Sequence, residues 1–157
     1  MKKIISTMAI ILVTHLNVCS ATIPNSELSL GGITCGASEE YVLKIYGKPD
    51  KIMTYNDAKD YFDGKAKHYL YGEDFDILFD GNSVFNIKIT GANGISTPSG
   101  LMVGMKETEI YKKYGTPDSK SKNTCYYHLK GKGLEHLGIR FDFEKGKITS
   151  IMCGEFI

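Results

Sequence analysis

Beyond the first 21 residues, the side chains of this chain that could carry chemistry are three histidines, three cysteines and a scatter of acids. The histidines are His68, His128 and His136; the thiols are Cys35, Cys125 and Cys153. A thiol nucleophile needs a base beside it or a helix N-terminus to stabilise its thiolate. Cys125 and Cys153 sit in strand-like sequence, so only Cys35, just ahead of a helix-forming stretch, meets that condition. Its counterpart in a second, similar stretch is Val103, which fits a core filler at that place. His68 and His128 fall on strands with no partner identifiable in sequence, and read as solvent-facing. The acids Asp57, Asp60 and Asp63, followed by Glu73, Asp74, Asp76 and Asp80, fail as a calcium loop, because the third position after Asp57 is Lys59. No Cys-x-x-Cys, His-Glu-x-x-His, Gly-x-Ser-x-Gly or phosphate-binding glycine loop occurs. The expectation is a protein that is not an enzyme, with no catalytic residue, metal or cofactor.

The elements that would position these residues come in two copies. Gly32 to Asp50 aligns with Gly100 to Asp118 at an offset of 68 residues without a gap, and eight of 19 positions are identical. A fixed-period match of this kind signals duplicated units. Each copy opens with a short helix. Ser38 is suited to cap the first, with Glu39 and Glu40 in its first turn, where the helix dipole favours acids. Lys106 holds the capping place in the second copy and caps poorly. Val42, Leu43 and Tyr46 form an apolar stripe, matched by Ile110, Tyr111 and Tyr114. Gly47 and Gly115 stand where a left-handed C-terminal cap belongs, and Pro49 and Pro117 forbid continuation.

Three strands follow each helix. In the first copy they are 67–71, 75–80 and 84–90; in the second, 125–130, 137–143 and 147–153. Phe75, Ile77 and Phe79 alternate with polar neighbours, as do Phe85, Ile87 and Ile89, and then Ile139, Phe141 and Phe143. Period two with one apolar face indicates half-buried antiparallel strands. Asp80-Gly81-Asn82 and Glu144-Lys145-Gly146 are the turns. If the helices cover the apolar face, the opposite face carries His68, Leu70, Leu78, Asn86, Lys88, Tyr126, His128, Arg140 and Met152. Of these, Leu78, Tyr126, His128, Arg140 and Met152 are the candidate binding residues.

The N-terminus has the layout of a secretory signal peptide: Lys2 and Lys3, an uncharged and mostly apolar stretch from Ile4 to Leu16, then small residues at Cys19-Ser20-Ala21. The apolar stretch is about 13 residues, short of the roughly 20 a membrane span needs. A lipid anchor at Cys19 is the alternative; Leu16 suits it and Asn17 and Val18 suit it poorly. Cleavage after Ala21 leaves 17 basic against 18 acidic residues. That balance argues against a nucleic-acid partner, which would need a basic patch. The organisation expected is therefore signal peptide 1–21, linker 22–30, first repeat 31–90, inter-repeat linker 91–99 and second repeat 100–157.

The string Gly100-x-x-x-Gly104-Met105-x-x-x-Glu109-Ile110, then Tyr114-Gly115-x-Pro117, the tyrosines Tyr126 and Tyr127, and the turn at Gly146-Lys147-Ile148 resembles the unit of the β-lactamase inhibitor protein. A single copy of a similar unit occurs in the small lipoprotein of the outer-membrane β-barrel assembly machine. The first copy departs from it at Ala37 and Tyr41. The resemblance implies an α+β fold of two tandem helix-plus-antiparallel-strand repeats, with short helices packed on one face of an antiparallel sheet. It further implies an exported, periplasmic or extracellular module whose open sheet face grips another protein. The second expectation is an envelope-assembly or structural accessory lipoprotein, and the third a small-ligand carrier or enzyme.

Overall fold

In the computed structural model, residues 23–55, 66–129, 131 and 133–156 are described. The signal peptide, the lipid site at Cys19 and the acidic loop Asn56 to Lys65 lie outside the described residues.

The two helices are α1 (Glu39–Tyr46) and α2 (Glu107–Tyr114). Ser38 is extended, and its hydroxyl accepts the Tyr41 N–H at 3.2 Å. Lys106, also extended, provides no such bond. At the other ends, the N–H groups of Gly47 and Gly115 donate to the carbonyls of Leu43 and Tyr111, each at 2.9 Å. The capping glycines have positive φ, +73° and +72°, but ψ of −159° and −146°. They therefore leave the left-handed helical region expected for them and occupy an extended region essentially reserved for glycine. This turns the chain directly away from the helix axis toward Pro49 and Pro117. Val42, Ile110 and Tyr114 are buried. Leu43, expected in the apolar stripe, is 39% exposed. On so short a helix only positions four apart, Val42 and Tyr46, stay over the core, and Leu43 falls on the flank.

A small hairpin pairs β1 (Ser29–Leu30) with β2 (Ile33–Thr34). The remaining strands are β3 (Lys51–Tyr55), β4 (Ala66–Tyr71), β5 (Phe75–Asp80), β6 (Ser83–Ile89), β7 (Ser119–Lys120), β8 (Thr124–His128), β9 (Leu137–Glu144) and β10 (Lys147–Glu155). They form one eight-stranded antiparallel sheet in the order β3-β4-β5-β6-β10-β9-β8-β7. The architecture is α+β, mostly antiparallel sheet with two short helices. The order places two meanders side by side, joined where β6 meets β10. Lys145 and Gly146 both have positive φ, 51° and 73°, the backbone of a hairpin turn whose twist matches its strands.

Each meander contains one bulge. Phe79 pairs with Val84 while Leu78 pairs with Asn86, leaving Phe85 as the extra residue; likewise Phe143 pairs with Ile148 and Asp142 with Ser150, leaving Thr149. The bulge corrects the expected face of β6. Val84, not Phe85, is buried beside Ile87 and Ile89, because an inserted residue reverses the alternation on one side of it.

Matching backbone bonds hold both helices to the sheet. The Gly36 and Gly104 N–H groups donate to the carbonyls of Val84 and Ile148 at 2.7 and 2.8 Å. Those of Glu39 and Glu107 donate to Asn82 and Gly146, both at 2.9 Å. Past each helix, the Asp50 N–H bonds the Leu70 carbonyl at 2.9 Å and the Asp118 N–H bonds Tyr126 at 3.0 Å. The two carboxylates then accept from the N–H groups of Gly72 and His128, at 2.7 and 2.8 Å. The shared Tyr-Gly-x-Pro-Asp block is thus a helix stop followed by a strand clamp.

Residues 23–30, expected to be a linker, contribute to the core instead. Ile23 bridges Leu129, and Ile23, Leu28 and Leu30 are buried. Glu27, in the 3₁₀ turn Asn25–Glu27, is 7% exposed; its carboxylate accepts hydrogen bonds from the Tyr114 hydroxyl and, at 2.6 Å, from Ser99. Apolar side chains at alternate places in a short polar stretch are enough to dock it, because each removes its surface from water.

Candidate sheet-face binding site

The Tyr46 ring of α1 packs on Phe75 at 5.0 Å, and the Tyr114 ring of α2 packs on Tyr127 and Phe141 at 5.3 and 5.8 Å. The helices therefore cover the face that carries Phe75, Ile77, Phe141 and Tyr127. Alternate residues of the same strands point the other way, and they include all five candidate binding residues. Each of the five is half-buried.

Strand register sets which of them meet. Met152 on β10 pairs with Arg140 on β9, which pairs with Tyr126 on β8. His128 follows Tyr126 two residues along β8, and the two rings are parallel at 6.0 Å. Four of the five residues are thus contiguous. Leu78 stands apart: between it and His128 in the same row come Asn86, Gly154 and Gly138.

Arg140 is held in place by its neighbours. Its Nε donates to Asp142 Oδ1 at 2.8 Å, Thr124 donates to the same oxygen at 2.9 Å, and the guanidinium lies 5.7 Å from the centre of the Tyr126 ring. Burial would lower its pKa, but the Asp142 carboxylate more than offsets this and raises it. Phe156 meets the Tyr126 ring edge-on at 5.4 Å and His128 at 6.5 Å. This residue escaped the sequence reading. Its signal was the alternation Met152, Gly154, Phe156, which carries one face of β10 past the end of the expected strand.

Three shielded polar atoms on this face, Asn86 Oδ1, His128 Nδ1 and Ser150 Oγ, have no hydrogen-bond partner among the described residues. Buried polar atoms in folded proteins are nearly always paired, so a cluster of three on one face marks unused bonding capacity.

The residues considered for catalysis are placed differently. His68 Nδ1 lies 3.1 Å from Asp76 Oδ1, a partner the sequence did not reveal. Among the described residues no three His, Cys, Asp or Glu side chains gather to hold a metal ion. Cys125 is fully buried, and burial pushes its thiol up to about 12. Cys35 has Cys153 beside it, with the sulfurs 3.7 Å apart. A groove of about 550 Å³ is lined by Ser29, Gly31, Gly32, Tyr46 and residues 94–98. It offers no carboxylate, thiol or imidazole, and the Tyr46 hydroxyl is already bonded to the Gly31 carbonyl at 2.6 Å. On α1 and the edge strand, Tyr41, Ile45 and Ile52 are 43%, 50% and 48% exposed.

No protein-family model and no curated protein sequence matches the chain. Its fold is similar to that of an extracellular protein containing an SCP domain from Bacillus anthracis, with a TM-score of 0.52 and 14% identity over 99% of this chain and 50% of that one. It is also similar to a cysteine-rich secretory protein from Staphylococcus aureus, with a TM-score of 0.50 and 13% identity over 75% of this chain and 43% of the other. A looser match is a candidate β-lactamase inhibitor protein from Streptococcus mutans, with a TM-score of 0.34 and 19% identity over 84% of this chain and 88% of that one. The chain spans half or less of the length of the two extracellular proteins. At these identities the likeness is one of fold. No helix among the described residues is long and apolar enough to cross a membrane.

Proposed function

We propose that the chain is an exported, non-catalytic protein-binding module, built from two copies of one helix-plus-sheet unit, whose helix-free sheet face grips a partner protein. The observation that carries this reading is the contiguous row of Met152, Arg140 and Tyr126, flanked by His128 and Phe156, on a face where three shielded polar atoms lack partners. Protein interfaces are enriched in Tyr, Phe, Met and Arg, and a few such residues dominate their energy. A guanidinium already fixed by Asp142 loses little freedom on binding. Duplication is supported by the aligned halves, the paired bulges and the matching bonds of Gly36 with Gly104 and Asp50 with Asp118. Export is supported by the charged, apolar and small-residue order of the first 21 residues.

The test is affinity capture from the native envelope and medium with the wild-type chain and with a Tyr126→Ala, Arg140→Ala double variant. A partner protein retained by the first and lost by the second, while the fold is kept, supports the reading. A partner held equally by both overturns the face assignment. Intact mass of the native protein separates the two forms of export: a chain starting near Thr22 fits secretion, and a diacylglycerol on Cys19 fits an envelope accessory lipoprotein.

A further inference from the structure

We propose that Cys35 and Cys153 are a disulfide site, closed by thiol–disulfide exchange with an oxidised thiol compound, and that the bond ties the lead-in to α1 to the central strand of the sheet. The two sulfurs are 3.7 Å apart although 118 positions separate them in the chain. A disulfide requires about 2.05 Å, so the remaining distance falls within the reach of side-chain rotation. Each backbone is anchored independently. The Cys35 N–H donates to the Leu28 carbonyl at 3.0 Å. Cys153 lies on β10 between Ile87 of β6 and Ile139 of β9. The pairing also resolves the odd cysteine count, since Cys125 on β8 is fully buried and has Phe141 as its cross-strand neighbour.

The exposures of the two thiols set the order of events. Cys35 is partly exposed and Cys153 is fully buried. Burial pushes the Cys153 thiol well above its ordinary value, and the contact with Cys35 adds to this. Attack therefore starts at Cys35: its thiolate displaces one thiol from the oxidant's disulfide and forms a mixed disulfide. Cys153 then gives up its proton, attacks Cys35 Sγ and displaces the second thiol. The protein loses two hydrogens and two electrons, and the oxidant is reduced to two thiols. A bond spanning this much of the chain constrains the unfolded state strongly.

The purified chain is equilibrated in a glutathione redox buffer, denatured, alkylated without reduction and mapped by mass spectrometry. This readout does not depend on export or on a partner. The expected result is one linked peptide pair joining Cys35 to Cys153, with alkylation at Cys125 alone. Reduction should then lower the melting temperature by at least about 5 °C. In a Cys35→Ser variant that keeps its fold by circular dichroism, Cys153 should become alkylated and the reductant should have no effect. Alkylation of all three thiols in oxidising buffer, or a link through Cys125, would overturn the proposal.

Discussion

The Tyr127 hydroxyl donates a hydrogen bond of 2.8 Å to the carbonyl of Gly115, and Tyr71 does the same to Gly47 at 3.0 Å. In each half, a strand tyrosine thus fixes the peptide that ends the helix. That peptide depends on a backbone only glycine adopts readily, with φ near +72° and extended ψ. Around a Cβ built on Gly47 there is nothing within 4 Å, so substitution there meets backbone strain and no clash. Gly47→Val and Gly115→Val should each cost about 2 kcal/mol, within the range for a residue forced into a sparsely populated region. Tyr127→Phe should cost about 1 kcal/mol for the lost bond. Urea unfolding measures all three, and unchanged midpoints for both glycine variants would remove the shared helix-stop account.

A second prediction concerns Glu27. Its carboxylate is nearly buried and takes hydrogen bonds from Tyr114 and Ser99, which joins the N-terminal turn to α2 and to the segment before it. Burial and then the Glu27 carboxylate raise the Tyr114 pKa. Glu27→Ala leaves the buried Tyr114 hydroxyl without this acceptor and should destabilise the fold by about 2 kcal/mol, as expected for a lost hydrogen bond to a charged group. A variant as stable as wild type in chemical denaturation would show that residues 23–30 are indeed only a linker.

The pH dependence follows from the first residue of each helix. Burial would raise the Glu39 pKa, but hydrogen bonds from Lys67 and Tyr69 hold it below its ordinary 4.5. Glu107 is held low by Tyr111 and Lys120 despite partial burial. A carboxylate with a lowered folded-state pKa contributes stability above its unfolded value and loses it as pH falls through the folded one. Stability should therefore be level above pH 4.5 and fall below it. At the alkaline end Tyr69 is pushed up to about 12, by burial first and then by Glu39. Its contribution is full below pH 10 and disappears as pH rises toward 12. Glu39→Gln should flatten the acid limb of a melting-temperature profile, and an unaltered limb would show that these contacts carry no linkage.

Much of this arrangement was legible in the sequence. The helix ends could be read because glycine followed two residues later by proline permits little else. The β5 and β9 faces could be read because Phe75, Ile77 and Phe79, and Ile139, Phe141 and Phe143, alternate without a break. The β6 face could not, because Val84 and Phe85 are both apolar and hide the single-residue insertion between them. The edge strand Lys51–Tyr55 lacks an alternating apolar face, and Ile23, Leu28 and Leu30 are too sparse to announce a docked segment. For the candidate site, periodicity gave the face but not the neighbours. Only the joining of β6 to β10 sets Met152 beside both Lys88 and Arg140, and a residue-by-residue pattern does not contain that pairing.

The last prediction tests the binding face. Tyr126 and Arg140 are cross-strand neighbours, the guanidinium lies 5.7 Å from the ring centre, and Phe156 closes one side of the ring. Neither residue belongs to the buried core. Tyr126→Ala and Arg140→Ala should therefore each leave the far-ultraviolet dichroism unchanged and shift stability by less than about 1 kcal/mol. Against a partner obtained by capture, each should weaken binding by at least about 1 kcal/mol, and Tyr126→Ala should weaken it more, because the tyrosine also organises Phe156 and Arg140. The cluster acts as a unit, so the double variant should lose less than the sum of the two single losses. Calorimetric titration reads all three values. Unchanged affinity with the fold intact would direct attention to the exposed Tyr41, Ile45 and Ile52 surface, where Ile45→Ser makes the next test. Unfolding of either single variant would mean that the aromatic cluster holds the sheet together and does not serve a partner.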